Sequence, residues 1–176
     1  MIKQYNSRSW IDPRLEVLES PISGKGIFTR APITKDELVM LFGGLVVERK
    51  NLNENEYRLQ TAFPIELDTF IVLPTSDTSD TVDEFLNHSC DPSAWLTDEV
   101  TVVARRDIRA GEEITLDAAT WDMDQEWLYS DDGICYCNTP DCRGKLSPLD
   151  YLNPEIQKKY AGHFSPFIQK RIYAIG

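Results

Sequence analysis

The sequence predicts one domain built mainly from β-strands, with short helices and a helical tail at its carboxyl end. Two observations indicate the strands: short runs rich in β-branched and aromatic residues recur along the chain, and turn-forming residues bound each run. A third observation is the length of 176 residues, which suits one domain whose core is large enough to fold without disulfides. The expected fold class is therefore mainly β.

Seven runs carry the strand pattern, each of them bounded by Gly, Pro, Asp or Asn. They cover residues 15–18, 26–28, 38–42, 45–47, 70–73, 100–104 and 113–116. Residues 54–60 are predicted to form a short helix, and the Thr/Ser/Asp-rich residues 75–81 a polar loop. Regular helices do not separate the strands, so the pattern is not that of alternating strand and helix units.

The carboxyl-terminal tail has the signals of two short helices. Asn153 is a suitable N-cap, Pro154 suits the first helical position, and Gly162 suits the end of the helix. Ser165 and Pro166 repeat the start signal before a second apolar stretch. We therefore expect two helices after residue 148.

The charge of the chain restricts its partners. With 18 basic and 29 acidic residues the net charge is −11, and the sequence pI is about 4.6. Such a chain is not expected to bind nucleic acid directly, because phosphate binding needs a basic surface. A negative field favours a cationic partner such as a lysine-rich segment, although it equally serves only to keep a protein soluble. No apolar run approaches the roughly 20 residues that span a bilayer, so we expect no membrane partner.

The amino terminus indicates the compartment. Residues 1–6 lack the apolar core of a signal peptide, which predicts an intracellular protein, cytoplasmic or nuclear, with reduced thiols. We further expect a monomer. Only two histidines are present, His88 and His163, so neither a hydrolytic triad nor a pair of histidines spaced for a metal on one helix is expected.

The four cysteines of the chain form one complete ligand set. Three of them lie within eight residues, and the fourth lies upstream: Cys90, Cys135, Cys137 and Cys142. Four thiolates suit a tetrahedral metal in a closed structural site, and the metal we expect is Zn²⁺. Free buried thiols are the first alternative to zinc, and disulfides, which need an oxidising compartment, are the second.

Four motifs resemble those of the SET-domain protein lysine methyltransferases and occur in the family's order. Residues 85–93 read FLNHSCDPS and are similar to the family signature, and residues 135–144 read CYCNTPDCRG and are similar to its post-SET tail. Residues 23–28, SGKGIF, resemble the first glycine-rich segment, and residues 110–117, AGEEITLD, resemble the segment before the catalytic tyrosine. The match is specific because four motifs occur together in the family's order, so the resemblance does not depend on any one of them.

This resemblance implies a fold, a division of the chain and a pair of cofactors. The implied fold consists of several small curved sheets, with a SET domain over residues 1–134 and a zinc-bound post-SET segment over 135–147. A helical tail over residues 148–176 would pack on the same domain. The implied methyl donor is S-adenosylmethionine, and the implied metal is a structural zinc that pins the post-SET segment beside Asn87 and His88.

The resemblance also implies the residues that hold the methyl donor. They are Gly24, Lys25, Gly26, Asn87, His88 and Leu146. Trp121 or Trp127 could replace Leu146 against the adenine. Taken alone, Gly-Lys-Gly is more typical of a tight turn with a solvated lysine. Asn87 and His88 could likewise serve only to satisfy buried backbone groups.

The chain departs from the family at its catalytic tyrosine. Ala118 occupies that position, and Phe42 occupies the place of a second family tyrosine. Three tyrosines are candidate substitutes: Tyr57, Tyr129 and Tyr136. Loss of an aligned hydroxyl raises a reaction barrier by several kcal/mol.

Three functional hypotheses therefore stand. The first is a S-adenosylmethionine-dependent methyltransferase whose substrate is a lysine-containing protein or peptide. The second is a SET fold that binds the same donor and catalyses a different reaction on a small molecule. The third is a non-catalytic protein that binds a basic segment. Fold resemblance does not separate them, because activity belongs to the site.

Overall fold

The computed structural model describes residues 4–122 and 133–175. Over these residues the chain forms eleven β-strands and two α-helices. In chain order they are β1 (Trp10–Ile11), β2 (Leu15–Glu19), β3 (Lys25–Thr29), β4 (Leu38–Leu41), β5 (Leu45–Glu48), β6 (Tyr57–Glu66), β7 (Thr69–Pro74), β8 (Asn87–His88), β9 (Ala94–Leu96), β10 (Thr101–Ala104), β11 (Glu113–Leu116), α1 (Pro154–Lys159) and α2 (Pro166–Ile175).

The strands form three small sheets. Their strand orders are β1-β4-β10-β9, β2-β3-β11-β8 and β5-β7-β6. All pairs are antiparallel except the last of the second sheet, where β8 runs parallel to β11. That pairing sets Asn87 opposite Thr115 and His88 opposite Leu116. The motif at residues 85–93 and the segment before Ala118 are therefore neighbours in space although they are distant in sequence.

The core lies between the first two sheets. Ile27 of β3, Met40 of β4, Val102 of β10 and Ile114 of β11 are each fully buried within one apolar cluster. Burying a side chain of this size contributes roughly 1.5–3 kcal/mol. This packing holds the first glycine-rich segment and the end of β11 in fixed relative positions.

The helical tail packs on the turn that follows β11. Asn153 caps α1 by accepting a hydrogen bond from the Glu155 amide, as its sequence signal predicts. Tyr160 and Ile168 are fully buried in a cluster that also contains Ala119. Helix α2 has ten residues, and none of the described helices is long and apolar enough to cross a membrane.

The seven predicted strands and both tail helices are confirmed, with ends shifted by a few residues at most. The mainly β fold class is confirmed with them. Residues 75–81 form turns and no strand, as expected of a polar loop. Strands β1, β8 and β9 were not predicted, because runs of two or three residues carry no periodicity.

The predicted helix at residues 54–60 is wrong, and strand β6 begins within it. The side chain and carbonyl of Asn53 close a turn by accepting hydrogen bonds from the amides of Glu56 and Tyr57. Arg58 then pairs with Leu73 of β7. The neighbouring strand supplies the backbone partners, and tertiary pairing therefore overrides the local preference.

Candidate active site and metal centre

The four cysteines converge at one point. Their Sγ atoms lie within 4.8 Å of one another, and none of the four forms a disulfide. Cys90 and Cys135, which are 45 residues apart, have Sγ atoms 3.7 Å apart. Four sulfurs at about 2.3 Å from a tetrahedral zinc would be about 3.8 Å apart. The cluster therefore has the dimensions of a zinc site, as the sequence predicts.

Hydrogen-bond donors surround these sulfurs. The amides of Arg143 and Gly144 point at the sulfurs of Cys90 and Cys142, at 3.3 and 3.4 Å. The Thr139 hydroxyl lies 3.3 Å from the Cys137 sulfur. Burial raises the pKa of the Cys90 thiol to about 11, because an isolated thiolate loses hydration there. Donors aimed at sulfur suit thiolates bound to a cation.

His88 joins the cysteine cluster to the end of β11. Its Nδ1 accepts a hydrogen bond from the Ala118 amide at 3.0 Å, so the neutral ring carries its hydrogen on Nε2. Nε2 lies 3.3 Å from the Cys90 sulfur and donates to it. Burial, aided by the Arg143 charge, lowers the pKa of His88 to about 4. His88 is therefore a neutral donor that supports Cys90, one of the four candidate metal ligands.

A buried carboxylate, Asp117, connects the cysteine segment and the tail to the sheet. Arg143 binds both of its oxygens at 2.7 Å, and the Tyr160 hydroxyl donates to it at 2.9 Å. Burial disfavours the charged carboxylate, but the Arg143 guanidinium outweighs that effect and lowers the pKa of Asp117. A second acid, Asp150, accepts from Arg143 Nε at 2.9 Å. We call these four residues the Asp117 network.

The predicted donor loop and Asn87 lie together. Asn87 Nδ2 donates to the carbonyls of Ser23 and Lys25 at 3.3 and 3.0 Å, and to Glu113 Oε1 at 2.8 Å. Gly24 has a φ of +46°, and open space lies where its Cβ would be. That conformation and that space permit a ligand to approach the backbone closely.

Gly26 has a different reason to lack a side chain. A Cβ at this position would lie 2.1 Å from the Glu113 Oε1 atom and 3.0 Å from the Asn87 amide nitrogen. The Ser20 hydroxyl contacts both carboxylate oxygens of Glu113 at 2.9 Å. The Glu113 carboxylate, which orients Asn87, thus occupies the space that a side chain at position 26 would need.

An open groove of about 670 Å³ runs beside Lys25. Its walls include the ring of Phe85, which lies under the Lys25 ammonium at 5.6 Å, and the turns of residues 75–82. Arg58 holds these turns by donating to the carbonyls of Asp77 and Ser79. We call this space the donor-side groove.

A second space of about 480 Å³ lies against β6, and we call it the ring-lined cavity. Phe63 is stacked between Phe42 and Trp121, with ring centroids 3.8 and 4.9 Å apart. The residues that line the cavity are Phe42, Leu59, Gln60, Thr61, Ala62, Phe63, Pro64, Phe70, Asp83, Glu84, Leu86, Trp121 and Asp122. Its walls are therefore largely apolar, with acidic side chains among them.

One short segment, residues 83–88, separates the two spaces. Phe85 lines the donor-side groove and Asn87 binds the glycine-rich loop. Asp83 and Leu86 line the ring-lined cavity, and Glu84 lines both spaces. A wall one segment thick thus has Lys25, one of the predicted donor residues, on one side and a largely apolar cavity on the other.

The predicted catalytic positions lie away from this cavity. Ala118 is 1% exposed and lines neither space, so no open room exists there for a phenol ring. Tyr57 pairs with Pro74 at the start of β6, and Tyr136 is 58% exposed in the cysteine segment. None of the described tyrosines lines the cavity.

The remaining predicted contacts are divided between the two regions. Leu146 packs against Cys90 and Cys137. Trp121 belongs to the ring stack of the cavity. Two predicted residues, Tyr129 and Trp127, lie outside the described residues.

Several site residues were not predicted from the sequence. Glu113 and Asp83 are acids next to recognised motifs, and nothing in their spacing distinguishes them from solvated acids. Arg143 follows the last cysteine of the chain, and its bond to Asp117 was not foreseen. Tyr160 contacts the Cys90 carbonyl as well as Asp117.

Comparisons with known proteins agree with this arrangement. The sequence model of the SET domain matches residues 24–117, more than half of the chain. The chain is 25% identical over 150 residues to histone-lysine N-methyltransferase ATX2 of Arabidopsis thaliana, covering 78% of this chain and 13% of that protein. It is 29% identical over 149 residues to histone-lysine N-methyltransferase set1 of Dictyostelium discoideum, covering 76% and 9%. For histone-lysine N-methyltransferase ASHH3 of Arabidopsis thaliana the identity is 26% over 145 residues, covering 76% and 38%.

The chain thus spans between about a tenth and two fifths of the length of these relatives. The region matched by the family model contains the glycine-rich loop, the wall at residues 83–88 and Asp117. With its small sheets and the parallel pairing of β8 and β11, this chain belongs to the SET-domain family.

Proposed function

We propose that this chain is a S-adenosylmethionine-dependent N-methyltransferase that acts on lysine side chains of proteins. The observation that carries the proposal is the wall at residues 83–88, which has a polar groove on one side and an apolar cavity on the other. Methyl transfer needs a donor and an amine held in line and away from bulk water, so the two ligands would have to meet at the edge of this segment. The relatives, which are named as histone-lysine N-methyltransferases, support a lysine as the acceptor.

The residues of the donor-side groove fit S-adenosylmethionine. Gly24 leaves open space beside its backbone, the Lys25 ammonium suits a carboxylate, and the Phe85 ring suits an adenine. When bound there, the cofactor would supply a methyl sulfonium group. Asn87, oriented by Glu113, would hold the loop that contacts it. His88 would act through its neighbours, because both of its ring nitrogens already have partners.

The cavity side would act by positioning. No described tyrosine presents a hydroxyl to it, so alignment of the amine would depend on the apolar walls that surround its alkyl chain. Removing one oriented hydrogen-bond donor from an active site lowers kcat by roughly 10²–10³. We therefore expect slow turnover compared with family members that keep the tyrosine.

We also propose that Cys90, Cys135, Cys137 and Cys142 hold one structural zinc, which is supported by their tetrahedral spacing. The predicted division at residues 134/135 and 147/148 stays a prediction, as do a monomeric state and the lack of nucleic-acid contacts. An intracellular setting is supported by the four unpaired cysteines.

Mass spectrometry tests this function. The zinc-loaded protein is incubated with S-adenosylmethionine that carries a deuterated methyl group, together with histone peptides. We expect label on a lysine, and none after that lysine is changed to arginine. Asn87→Ala should weaken binding of S-adenosylhomocysteine, whereas the exposed control Asn51→Ala should not. Cofactor binding without label on any histone or peptide would reject the catalytic claim and favour a binding protein.

A further inference from the structure

The ring-lined cavity is larger than an amine on a single alkyl chain requires. Its volume of about 480 Å³ lies in the range of pockets that take whole small molecules, roughly 300–1,000 Å³. Most of its wall is apolar, formed by the ring stack and by Leu59 and Leu86. The space therefore suits a ligand with a bulky apolar body.

One carboxylate in that wall, Asp83, forms no ion pair with a described lysine or arginine, although the Arg58 charge acts on it from beyond ion-pair distance. Asp83 accepts a hydrogen bond from the Ser9 hydroxyl, which in turn accepts from the Gly43 amide. No described lysine or arginine lies within ion-pair distance of Asp83. Glu84, by contrast, is paired with Arg58 at 3.3 Å. The cavity thus offers a carboxylate whose described partners are hydrogen-bond donors and not an ion pair.

The rings themselves do not offer a cage for a cation. Phe42, Phe63 and Trp121 lie nearly parallel, with angles of 16° and 20° between neighbouring planes. Both faces of Phe63 are covered by the other two rings. Its accessible edge carries the positive part of the ring quadrupole, so it repels an ammonium group. The rings therefore suit the apolar part of a ligand, and the Asp83 carboxylate suits its ammonium group.

We propose that the ring-lined cavity binds a small hydrophobic amine, with its ammonium group on Asp83 and its apolar body against the ring stack. A small hydrophobic amine is a different ligand class from the protein lysine of the proposed function. The inference rests on the proposed function only in taking the cavity as the place where the amine binds. A net charge of −11 on the chain adds a long-range attraction for such a cation. Burial raises the pKa of the free Asp83 carboxyl, and an ammonium partner would relieve that penalty.

Calorimetry with phenethylamine as the probe tests the proposal on the zinc-loaded chain. Phenethyl alcohol, which has the same ring and no charge, and a peptide with one lysine are titrated in parallel. We expect the amine to bind at least about ten-fold more tightly than the alcohol, since its ammonium group donates charge-assisted hydrogen bonds to the carboxylate.

Asp83→Asn should weaken amine binding by about ten-fold or more and leave alcohol binding unchanged. This variant is expected to fold, because an amide oxygen can still accept from Ser9 and no buried charge is then needed. The matched control is Asp36→Asn, an exposed acid outside the cavity whose φ of +67° suits asparagine. It should leave amine binding within about two-fold of the wild type.

The outcomes separate this inference from the proposed function. Tight amine binding that depends on Asp83 supports it. A lysine peptide that binds and is methylated while phenethylamine does not bind would overturn the inference and leave the proposed function intact. Amine binding that Asp83→Asn does not change would also overturn it. Failure of both the peptide and the amine, with S-adenosylhomocysteine still bound, would reject both assignments of the cavity.

Discussion

The two sides of His88 are built by different means. Toward the cysteines, the polar groups are matched: Asp117 takes Arg143, Tyr160 and the Ala119 amide, and Cys90 takes the His88 ring and the Arg143 amide. Toward β6, stacked rings line about 480 Å³ of open space, and the Asp83 carboxylate accepts hydrogen bonds but forms no ion pair with any described residue. Polar groups that already have partners offer a ligand few contacts. The open volume and a carboxylate without an ion pair do offer such contacts.

The difference teaches where stability and function lie in this chain. A buried ion pair such as Asp117 with Arg143 is costly to break because it leaves a charge without hydration. It therefore fixes the cysteine segment and the tail on the sheet. The cavity wall includes side chains of the buried core, Phe42 and Phe63, but these also face open space that a ligand can fill.

Removal of zinc should have the largest effect. Chelation should destabilise the chain by more than about 5 kcal/mol, since metal binding is coupled to folding of the ligand segment. Elemental analysis should give one zinc per chain, and hydrogen exchange of residues 133–160 should accelerate on chelation. Cys137→Ser should lose the metal, whereas Thr139→Val should retain it. A fully protected segment in metal-free protein would contradict this prediction.

Breaking the Asp117 network should come second. Asp117→Asn removes the charge that Arg143 binds at two atoms, and should lower the free energy of unfolding by about 3–5 kcal/mol in urea denaturation. The matched control is Asp150→Asn, at the other end of the same guanidinium, which should cost about 1 kcal/mol. If both variants lost the same free energy of unfolding, the claim that Asp117 is the main partner of Arg143 would be wrong.

Acid should weaken the same region through His88. Its pKa is about 4 in the folded chain and 6.5 when unfolded, so the unfolded state binds the proton first. Stability from the neutral ring is complete above pH 6.5 and is lost as the pH falls towards 4, by about 3 kcal/mol. The measurement is the difference in free energy of unfolding between wild type and His88→Gln across this range, which cancels protonation elsewhere. A difference that does not vary with pH would refute the assignment of a neutral, buried His88.

The cavity side should respond least. Phe63→Leu removes the middle ring of the stack and should cost about 1–2 kcal/mol, because the adjoining space is already open and only part of the packing is lost. Val46→Ala, on an exposed position of β5, should cost less than about 0.5 kcal/mol and serves as the control. A loss above about 4 kcal/mol for Phe63→Leu would show that the stack is a structural core and not the wall of a binding site.

Sequence alone could predict the metal centre but not the cavity. Four cysteines permit one tetrahedral set, and their chemistry does not depend on which strands deliver them. Strand β6, which forms much of the cavity wall, depends on pairing with β7, and its first residues carry a helical signal. The role of Asp83 depends on the lack of an ion pair with any described residue, a property of the folded surface that no spacing in the sequence encodes.

The glycine-rich loop shows the same limit on a smaller scale. Its closeness to Asn87 was expected from the family resemblance, and the structure brings the two together. The reason for Gly26 was not foreseen, because Glu113 reaches it from a strand almost ninety residues away. Contacts between distant segments follow from sheet order, which local sequence patterns do not determine.

The central claim is that the wall at residues 83–88 separates the methyl donor from the amine. A crystal structure of the zinc-loaded chain with a bisubstrate analogue, in which an aminoalkyl arm replaces the transferred methyl group, tests it most directly. The account predicts the nucleoside and amino-acid parts in the donor-side groove against Gly24 and Lys25. The arm should pass the wall into the ring-lined cavity, with its ammonium beside Asp83. An arm that leaves the groove in another direction, or a nucleoside bound in the ring-lined cavity, would contradict the account.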